Sequence, residues 1–146
     1  MGNETDFTVD RNGVITGYTG SGGDVVIPAS IGGIAVRAIA DRAFMGKGLT
    51  SIVIPACAKE IGEMAFGDNQ IEKAVITGNI TVGRYAFSGT TGENPITEIT
   101  IGENVTHLSP RNGRNFPSFY DAKKQKAGTY VFDMDNKKWR EKETAT

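Results

Sequence analysis

A repeat of about 22 residues constrains the fold of this chain more strongly than any other feature. A short string, in which two apolar residues flank a variable one and a turn-forming residue follows, occurs four times, as VVIP at 25–28, IVIP at 52–55, AVIT at 74–77 and ITIG at 99–102. A second string joins alanine to phenylalanine at 43–44, 65–66 and 86–87. These phenylalanines stand 22 and 21 residues apart. One structural unit must therefore explain every copy.

This period is typical of a leucine-rich solenoid, in which a unit of about 20–29 residues forms one coil. Within a coil, Ile52 and Ile54 point inward and Val53 points outward, because successive side chains of a strand alternate between its faces. Stacked coils then place their strands side by side in a short parallel sheet. The alanine lets the backbone approach while the phenylalanine fills the wide end of the coil. We expect a ladder of stacked rings formed by Phe44, Phe66 and Phe87.

The ends of a solenoid need covering because they expose strand edges and apolar surface. Residues 7–18, FTVDRNGVITGY, alternate around Asn12-Gly13, a strong signal for a hairpin turn. Residues 129–139, TYVFDMDNKKW, show the same pattern. We expect the aromatic residues of this end to seal the last coil rather than to form a ligand platform: Phe116, Phe119, Tyr120, Tyr130, Phe132 and Trp139. The first coil carries five extra residues around 31–36, which predict an added loop.

These features predict a mostly β protein: a right-handed leucine-rich-repeat solenoid of about four coils with a short parallel sheet, capped by N-terminal and C-terminal β-hairpins. A chain of 146 residues fits one domain. We place this domain at residues 7–140, with an N-terminal cap at 7–23, repeats at 24–115 and a C-terminal cap at 116–140. We expect residues 1–6 and 141–146 to be disordered.

The chain carries little that points to catalysis or to a metal. Cys57 and His107 are its single cysteine and histidine, which excludes an intrachain disulfide and a multi-histidine zinc site. We interpret Cys57 as a small buried residue, and a reactive dyad with His107 is the alternative. Known catalytic motifs are absent, and we interpret GSGGD at 20–24 and DMDN at 133–136 as turns rather than as phosphate and calcium loops. We expect no enzyme activity, no cofactor and no metal site.

Charge is distributed unevenly along the chain. Residues 1–110 carry 7 Lys/Arg against 12 Asp/Glu, whereas residues 111–146 carry 9 against 5. We interpret the C-terminal lysines as a solvated surface, and because no nucleic-acid motif accompanies them, we expect no nucleic-acid partner. No apolar run approaches the roughly 18 residues of a membrane span, and the first residues lack the features of a signal peptide. We therefore expect no transmembrane segment.

The outward positions of the parallel strands are the candidate binding site. Valines there are expected to align in register, and an exposed apolar stripe often marks a contact site. The alternative is that valine merely suits strands. The candidate protein-binding residues are Val26, Ser51, Val53, Lys73, Val75, Glu98 and Thr100.

The chain is similar to a known family at three places. GYTGSGGDVVIP at 17–28 resembles the opening of the BspA-like leucine-rich repeats of bacterial surface and secreted proteins, and IVIPACAKEIGEMAF at 52–66 resembles their repeat unit. Residues 119–139 resemble a C-terminal ending of some members. The resemblance covers about residues 7–140, although the third copy has Thr77 in place of proline and the fourth lacks its Ala-Phe pair.

The resemblance implies a role in adhesion to host matrix proteins, host cells or other bacteria, without defined catalytic residues. It also implies an extracellular or cell-surface location, with a leader or anchor absent from this chain. The leading hypothesis is a non-enzymatic module that binds a protein partner, such as a host matrix or cell-surface protein, on its strand face. The alternative is a structural spacer that associates weakly with itself.

Overall fold

The computed structural model describes residues 4–90, 92–103, 105–106 and 126–142 of the chain. Within these ranges the protein consists of strands and turns, with one short 3-10 helix, Glu4–Asp6, and no α-helix. Parallel sheets stack into a solenoid of about four turns. The mostly β solenoid predicted from the repeat is therefore confirmed.

One side of every coil contributes a strand to a parallel sheet, which we call the first ladder. Its strands are β3 (Gly23–Val26), β7 (Leu49–Ile54), β9 (Lys73–Ile76) and β13 (Glu98–Ile101). Val53 lies opposite Val75, and Ile54 lies opposite Ile76. Alternate side chains point into the coil, so the isoleucines of the repeat are buried while the positions between them face outward.

A second side of the coil forms another parallel sheet, the second ladder, whose first strand belongs to the predicted N-terminal hairpin and whose other strands the sequence pattern did not predict. Its strands are β2 (Val14–Tyr18), β6 (Ala38–Ile39), β8 (Glu60–Ile61) and β10 (Thr81–Val82). Thr81 also forms a parallel bridge to Thr106. The two-residue strands each bury one apolar side chain, Ile39, Ile61 or Val82. Two residues are too few to show the alternation by which strands are recognised.

The third side of the coil is a turn that leads into each Ala-Phe pair. The residue before the pair has a positive φ, which is 59° at Arg42, 53° at Met64 and 55° at Tyr85. Here too, backbone hydrogen bonds link each coil to the next: Phe44 N donates to Ala65 O at 2.8 Å, and Phe66 N donates to Ala86 O at 2.7 Å. Successive coils are therefore joined by backbone hydrogen bonds on all three sides.

The phenylalanines stack through the core as predicted. The ring centroids of Phe44 and Phe66 are 5.1 Å apart, those of Phe66 and Phe87 are 5.3 Å apart, and both pairs are nearly parallel. The stack continues into the N-terminal hairpin, where Tyr18 lies 5.2 Å from Phe44 and Phe7 lies 5.3 Å from Tyr18. The hairpin therefore covers the apolar end of the first coil with aromatic rings.

The N-terminal hairpin pairs β1 (Phe7–Val9) antiparallel with β2, so it closes the second ladder. Its turn follows the prediction from Asn12-Gly13: Gly13 has a φ of 83°, and the carboxylate of Asp10 accepts hydrogen bonds from the backbone of Asn12 and Val14. Before β1, the helix Glu4–Asp6 occupies part of the segment for which disorder was expected.

The C-terminal hairpin consists of β14 (Gly128–Asp133) and β15 (Lys138–Glu141), and it extends the first ladder because β14 pairs antiparallel with β13. Tyr130 and Trp139 are buried, as a sealing role predicts. Asp133 accepts hydrogen bonds from the backbone at 135 and 136, which fits the turn interpretation of DMDN. Glu141, expected in a disordered tail, belongs to β15. Phe116, Phe119 and Tyr120 lie outside the described residues.

Two further hairpins accommodate extra residues. The first coil's predicted loop is a hairpin of β4 (Ser30–Ile31) and β5 (Ile34–Ala35), and the longer connection before the fourth copy pairs β11 (Ser88–Gly89) with β12 (Gly92–Glu93). Glu4 Oε1 accepts a hydrogen bond from Gly32 N at 2.6 Å, which ties the first hairpin to the N-terminal helix.

Two asparagines, Asn69 and Asn94, are buried between coils, and neither was predicted from the sequence. Asn69 Oδ1 accepts from the backbone N–H of Lys47 at 2.9 Å and of Leu49 at 3.1 Å. Its Nδ2 donates to the carbonyls of Phe44 and Phe66 at 2.8 and 3.0 Å. One side chain therefore satisfies backbone groups of two successive coils at a turn where no strand can do so.

Asn94 repeats this arrangement one coil further along. Its Oδ1 accepts from Ile71 N at 3.0 Å, and its Nδ2 donates to Phe66 O at 2.9 Å and to Phe87 O at 2.6 Å. Each asparagine stands two residues before the isoleucine that opens the next copy, at 71 and at 96. That spacing is the sequence signal by which this pair could have been found.

We predict that Asn69→Ala lowers the free energy of unfolding by about 2–4 kcal/mol, because buried backbone groups of two coils lose their partners. The neighbouring Gln70 is exposed, so Gln70→Ala is the matched control and should change stability by no more than about 0.5 kcal/mol. Urea unfolding followed by circular dichroism measures both. Equal midpoints for the two variants would contradict the structural role of the buried amide.

Gly83 marks a place where two coils approach too closely for a side chain. A Cβ on Gly83 would lie 2.7 Å from Ile61 O and 2.8 Å from the carbonyl carbon of Gly62. Gly83→Ala should therefore destabilise the protein by about 1–3 kcal/mol through overpacking. A Cβ on Gly17 would meet nothing nearer than 3.9 Å, so Gly17→Ala serves as the control. Thermal unfolding compares the pair, and an unchanged melting temperature for Gly83→Ala would show that the coils can separate there at little cost.

Candidate functional site

The outward positions of the first ladder align in two rows. Register pairs Val26 with Val53, Val53 with Val75, and Val75 with Thr100, which we call the β-branched row. Two residues earlier on each strand, register pairs Asp24 with Ser51, Ser51 with Lys73, and Lys73 with Glu98, which we call the polar row. The structure thus brings all seven residues of the candidate site onto one face.

The β-branched row is unevenly exposed. Val26 exposes 49% of its surface, whereas Val53, Val75 and Thr100 are half-buried among their neighbours on the sheet. The row continues onto the C-terminal hairpin, where Thr129 lies opposite Thr100 and the two hydroxyl oxygens are 2.9 Å apart. The most accessible apolar surface therefore lies at the N-terminal end of the row.

The polar row is organised by hydrogen bonds and charge pairs. Asp24 Oδ1 accepts from Ser51 Oγ at 2.8 Å and from Thr50 Oγ1 at 3.0 Å. These two hydroxyls hold the pKa of Asp24 below its usual value, with Ser51 contributing most. At the other end of the row, Lys142 Nζ lies 3.1 Å from Glu98 Oε1. The row thus presents acids and bases in alternation.

A shallow groove of about 320 Å³ runs beside the start of these rows, lined by Asp24, Thr50, Ser51, Glu72 and Lys73. Its walls carry two carboxylates, one ammonium group and two hydroxyls. Such a mixed lining suits the polar side chains of a protein surface better than a single ion of either sign.

Three residues of this surface were not predicted from the sequence: Asp24, Thr50 and Glu72. Asp24 could have been found, because it precedes Val26 by the same two residues that separate Ser51 from Val53. Thr50 could not, since it reaches Asp24 through a register shift between β3 and β7. A bulge of this kind leaves no signal in a two-residue alternation.

Cys57 is exposed, so the prediction that it is a small buried residue is wrong. It lies in the turn that follows β7 and Pro55, outside the inward-facing positions of the coil, and its thiol donates to Val36 O at 3.2 Å. His107 lies outside the described residues, and with it the alternative dyad. Within the described ranges, no group of three or more His, Cys, Asp or Glu side chains is placed to hold a metal ion.

The three-sided coils, the stacked phenylalanines and the in-register strand face define a leucine-rich-repeat solenoid. The BspA type leucine rich repeat region matches residues 25–123 in six copies, and the chain therefore belongs to this family. No curated protein matches the chain.

A crystal structure of a leucine-rich repeat protein from Bacteroides capillosus ATCC 29799 is similar in fold. It superposes with a TM-score of 0.59 and is 24% identical in sequence, and the match covers 75% of this chain and 87% of that one. At this identity the likeness supports the architecture alone.

The family places the chain in a broad class of function. Leucine-rich repeats are typically non-enzymatic scaffolds that mediate protein interactions, and the BspA-type family is generally found in bacterial surface or secreted proteins. In the part of the chain that the structure describes, no helix is long and apolar enough to cross a membrane.

The hydrogen bonds at Asp24 give a measurable prediction for pH. Because the pKa of Asp24 in the folded protein lies below that of an ordinary aspartate, ionised Asp24 favours the folded state above the ordinary pKa, and this contribution is lost as the pH falls through the folded pKa. Carboxyl-carbon NMR should show Ser51→Ala raising the pKa of Asp24 toward its usual value, and Thr50→Ala raising it less. Titration curves that coincide for all three proteins would contradict the proposed cause.

Proposed function

We propose that this protein is a non-enzymatic module that binds a protein partner on the outer face of its first ladder, at the bacterial cell surface or outside the cell, and that adhesion is its role. The observation that carries the proposal is the β-branched row, which places Val26, Val53, Val75 and Thr100 in register on one sheet. We further propose that residues 7–140 act as one domain, with repeats at 24–115 held between caps at 7–23 and 116–140.

The chemistry of the face fits a protein better than a nucleic acid. Asp24, Lys73 and Glu98 alternate in sign along the polar row, whereas a phosphate backbone is bound by a stripe of positive charge. An apolar row flanked by mixed charge matches the usual anatomy of a protein interface, where charges around an apolar centre select the partner and its register.

The dimensions of the face limit the strength of binding. Six strands at a spacing of about 4.8 Å span about 24 Å, and four residues at about 3.3 Å span about 13 Å. The resulting flat area of about 300 Å² is well below the roughly 800 Å² that one partner contributes to a standard interface. A partner therefore either binds weakly or also contacts the flanking turns, including the groove beside Asp24.

The proposal predicts that Val53→Lys/Val75→Lys weakens binding by about tenfold or more, because two charges enter the centre of the apolar row. Biolayer interferometry against a panel of purified extracellular-matrix and serum proteins identifies a binder for the unaltered chain. The same binder is then titrated with the double variant, whose fold is checked by circular dichroism.

A matched control adds the same two charges elsewhere. Thr81 and Thr106 are exposed on the second ladder, so Thr81→Lys/Thr106→Lys should leave the affinity unchanged. Equal losses in both double variants would attribute the effect to net charge. Unchanged affinity in Val53→Lys/Val75→Lys would remove the strand face as the site.

The second interpretation is a structural unit that associates with itself. It draws support from a different feature of the same sheet, the edge strand β3, which pairs with β7 alone among the residues that the structure describes.

A further inference from the structure

The first ladder ends at β3, which pairs with β7 alone among the residues that the structure describes. Ile27 N, just after β3, donates to Val53 O of β7. Because backbone groups alternate in direction along a strand, Val25 shares this direction, whereas the N–H and C=O groups of Asp24 and Val26 point away from β7. The edge of β3 therefore offers the backbone groups of two residues to a further strand.

The N-terminal hairpin leaves this edge uncovered because it extends the other sheet. In the second ladder, β6 is the strand of the first coil, and β2 and β1 lie beyond it. In the first ladder, no described strand lies beyond β3. The hairpin therefore projects past β3 by two strands, which is about 10 Å at a spacing of about 4.8 Å.

The step between the hairpin and β3 suits one extended chain better than a second solenoid. A second copy that continued the sheet would bring its own coils against the projecting hairpin, whereas a single strand beside β3 takes up only about 4.8 Å of the step. The buried ring of Tyr18 lies over Phe44 and closes the interior of the first coil. Residues of the added segment that point inward must therefore be small.

Val26 is the apolar side chain that an added strand would cover. It exposes 49% of its surface, whereas Val53 and Val75, which have strands on both sides, are half-buried. A strand beside β3 would place one of its own side chains next to Val26 on the outer face, where apolar and β-branched residues pair well. The segment should therefore carry an apolar residue at that position.

Charge favours a basic residue next to this apolar one. Residues 4–26 carry one Lys/Arg against four Asp/Glu, a balance of −3. On β3 itself, Asp24 is exposed and lies two residues before Val26, on the same face of the strand. A basic side chain two positions from the apolar residue would lie beside this carboxylate. A second copy would instead bring another end of the same negative charge.

We propose that β3 binds an extended segment of a protein partner as a further strand of the first ladder, with a basic residue beside Asp24 and an apolar residue two positions away beside Val26. This binding mode rests on the proposed function, because it takes a protein as the partner. It adds backbone hydrogen bonds to a flat face of about 300 Å², which is too small for a standard interface.

The peptide Arg-Ser-Val-Ser-Arg, blocked at both ends, tests the proposal because its pattern fits β3 in either strand direction. In low salt it should shift the amide NMR signals of residues 23–27 most, with a dissociation constant of about 1 mM or lower. The control Ser-Arg-Val-Arg-Ser has the same composition but places its charges on the opposite face, so it should bind about tenfold more weakly. Equal binding of the two peptides, or no binding at about 5 mM, would overturn the proposal.

Two variants test the backbone and the charge separately. Val26→Pro removes the outward N–H while leaving the bonds to β7, so it should lose the peptide, whereas Val26→Thr should keep it. Asp24→Lys should lose Arg-Ser-Val-Ser-Arg and bind Glu-Ser-Val-Ser-Glu instead, a result that does not depend on proline. Circular dichroism checks that each variant is folded. Undiminished binding by Val26→Pro, or an unchanged preference in Asp24→Lys, would overturn the edge contact.

The same variants separate the edge from the strand face. A protein partner whose binding falls in Val53→Lys/Val75→Lys but not in Val26→Pro would support the β-branched row and overturn the edge as its site. The reverse result would support the edge and remove the row. Sedimentation equilibrium of the unaltered chain at about 1 mM should show a monomer, and a dimer that is lost in Val26→Pro would assign the edge to a second copy and overturn the proposal.

Discussion

Backbone hydrogen bonds between successive coils are the interaction on which the rest of this structure depends. Each coil satisfies the polar groups of the next on two strand sides and on the turn before the phenylalanine. An isolated coil would leave these groups without partners and would have no core of its own, so a single repeat cannot fold. The fold therefore depends most on the residues that allow the backbones of neighbouring coils to approach and form hydrogen bonds.

Two kinds of residue serve that purpose in different ways. Gly83 has no side chain where a Cβ would strike the coil before it. Asn69 and Asn94 lie at turns where the backbones of neighbouring coils are too far apart to bond directly. Each side-chain amide accepts a hydrogen bond from a backbone N–H and donates hydrogen bonds to backbone carbonyls, and so links the coils. The stacked phenylalanines, one from each coil, then fill the interior between coils held at this separation.

The solenoid could be predicted because its main signals are local and repeated. The alternation at Ile52, Val53 and Ile54 and the spacing of Phe44, Phe66 and Phe87 each follow from one coil. Three strands of the second ladder, β6, β8 and β10, could not be predicted, since each holds two residues and exists only because of the coils beside it. The exposure of Cys57 was misjudged for a related reason: composition says how often cysteine is buried, whereas the turn after Pro55 decides this case.

The caps close different sheets, the N-terminal hairpin the second ladder and the C-terminal hairpin the first. A whole coil could be inserted or deleted between them without altering either closure, because in the described part of the chain each hairpin pairs with the coil beside it, β2 with β6 and β14 with β13. Such a change would add or remove about 22 residues and widen or narrow the strand face by about 4.8 Å. The architecture therefore allows descendants of one gene to differ in the width of the surface they present while keeping the same two ends.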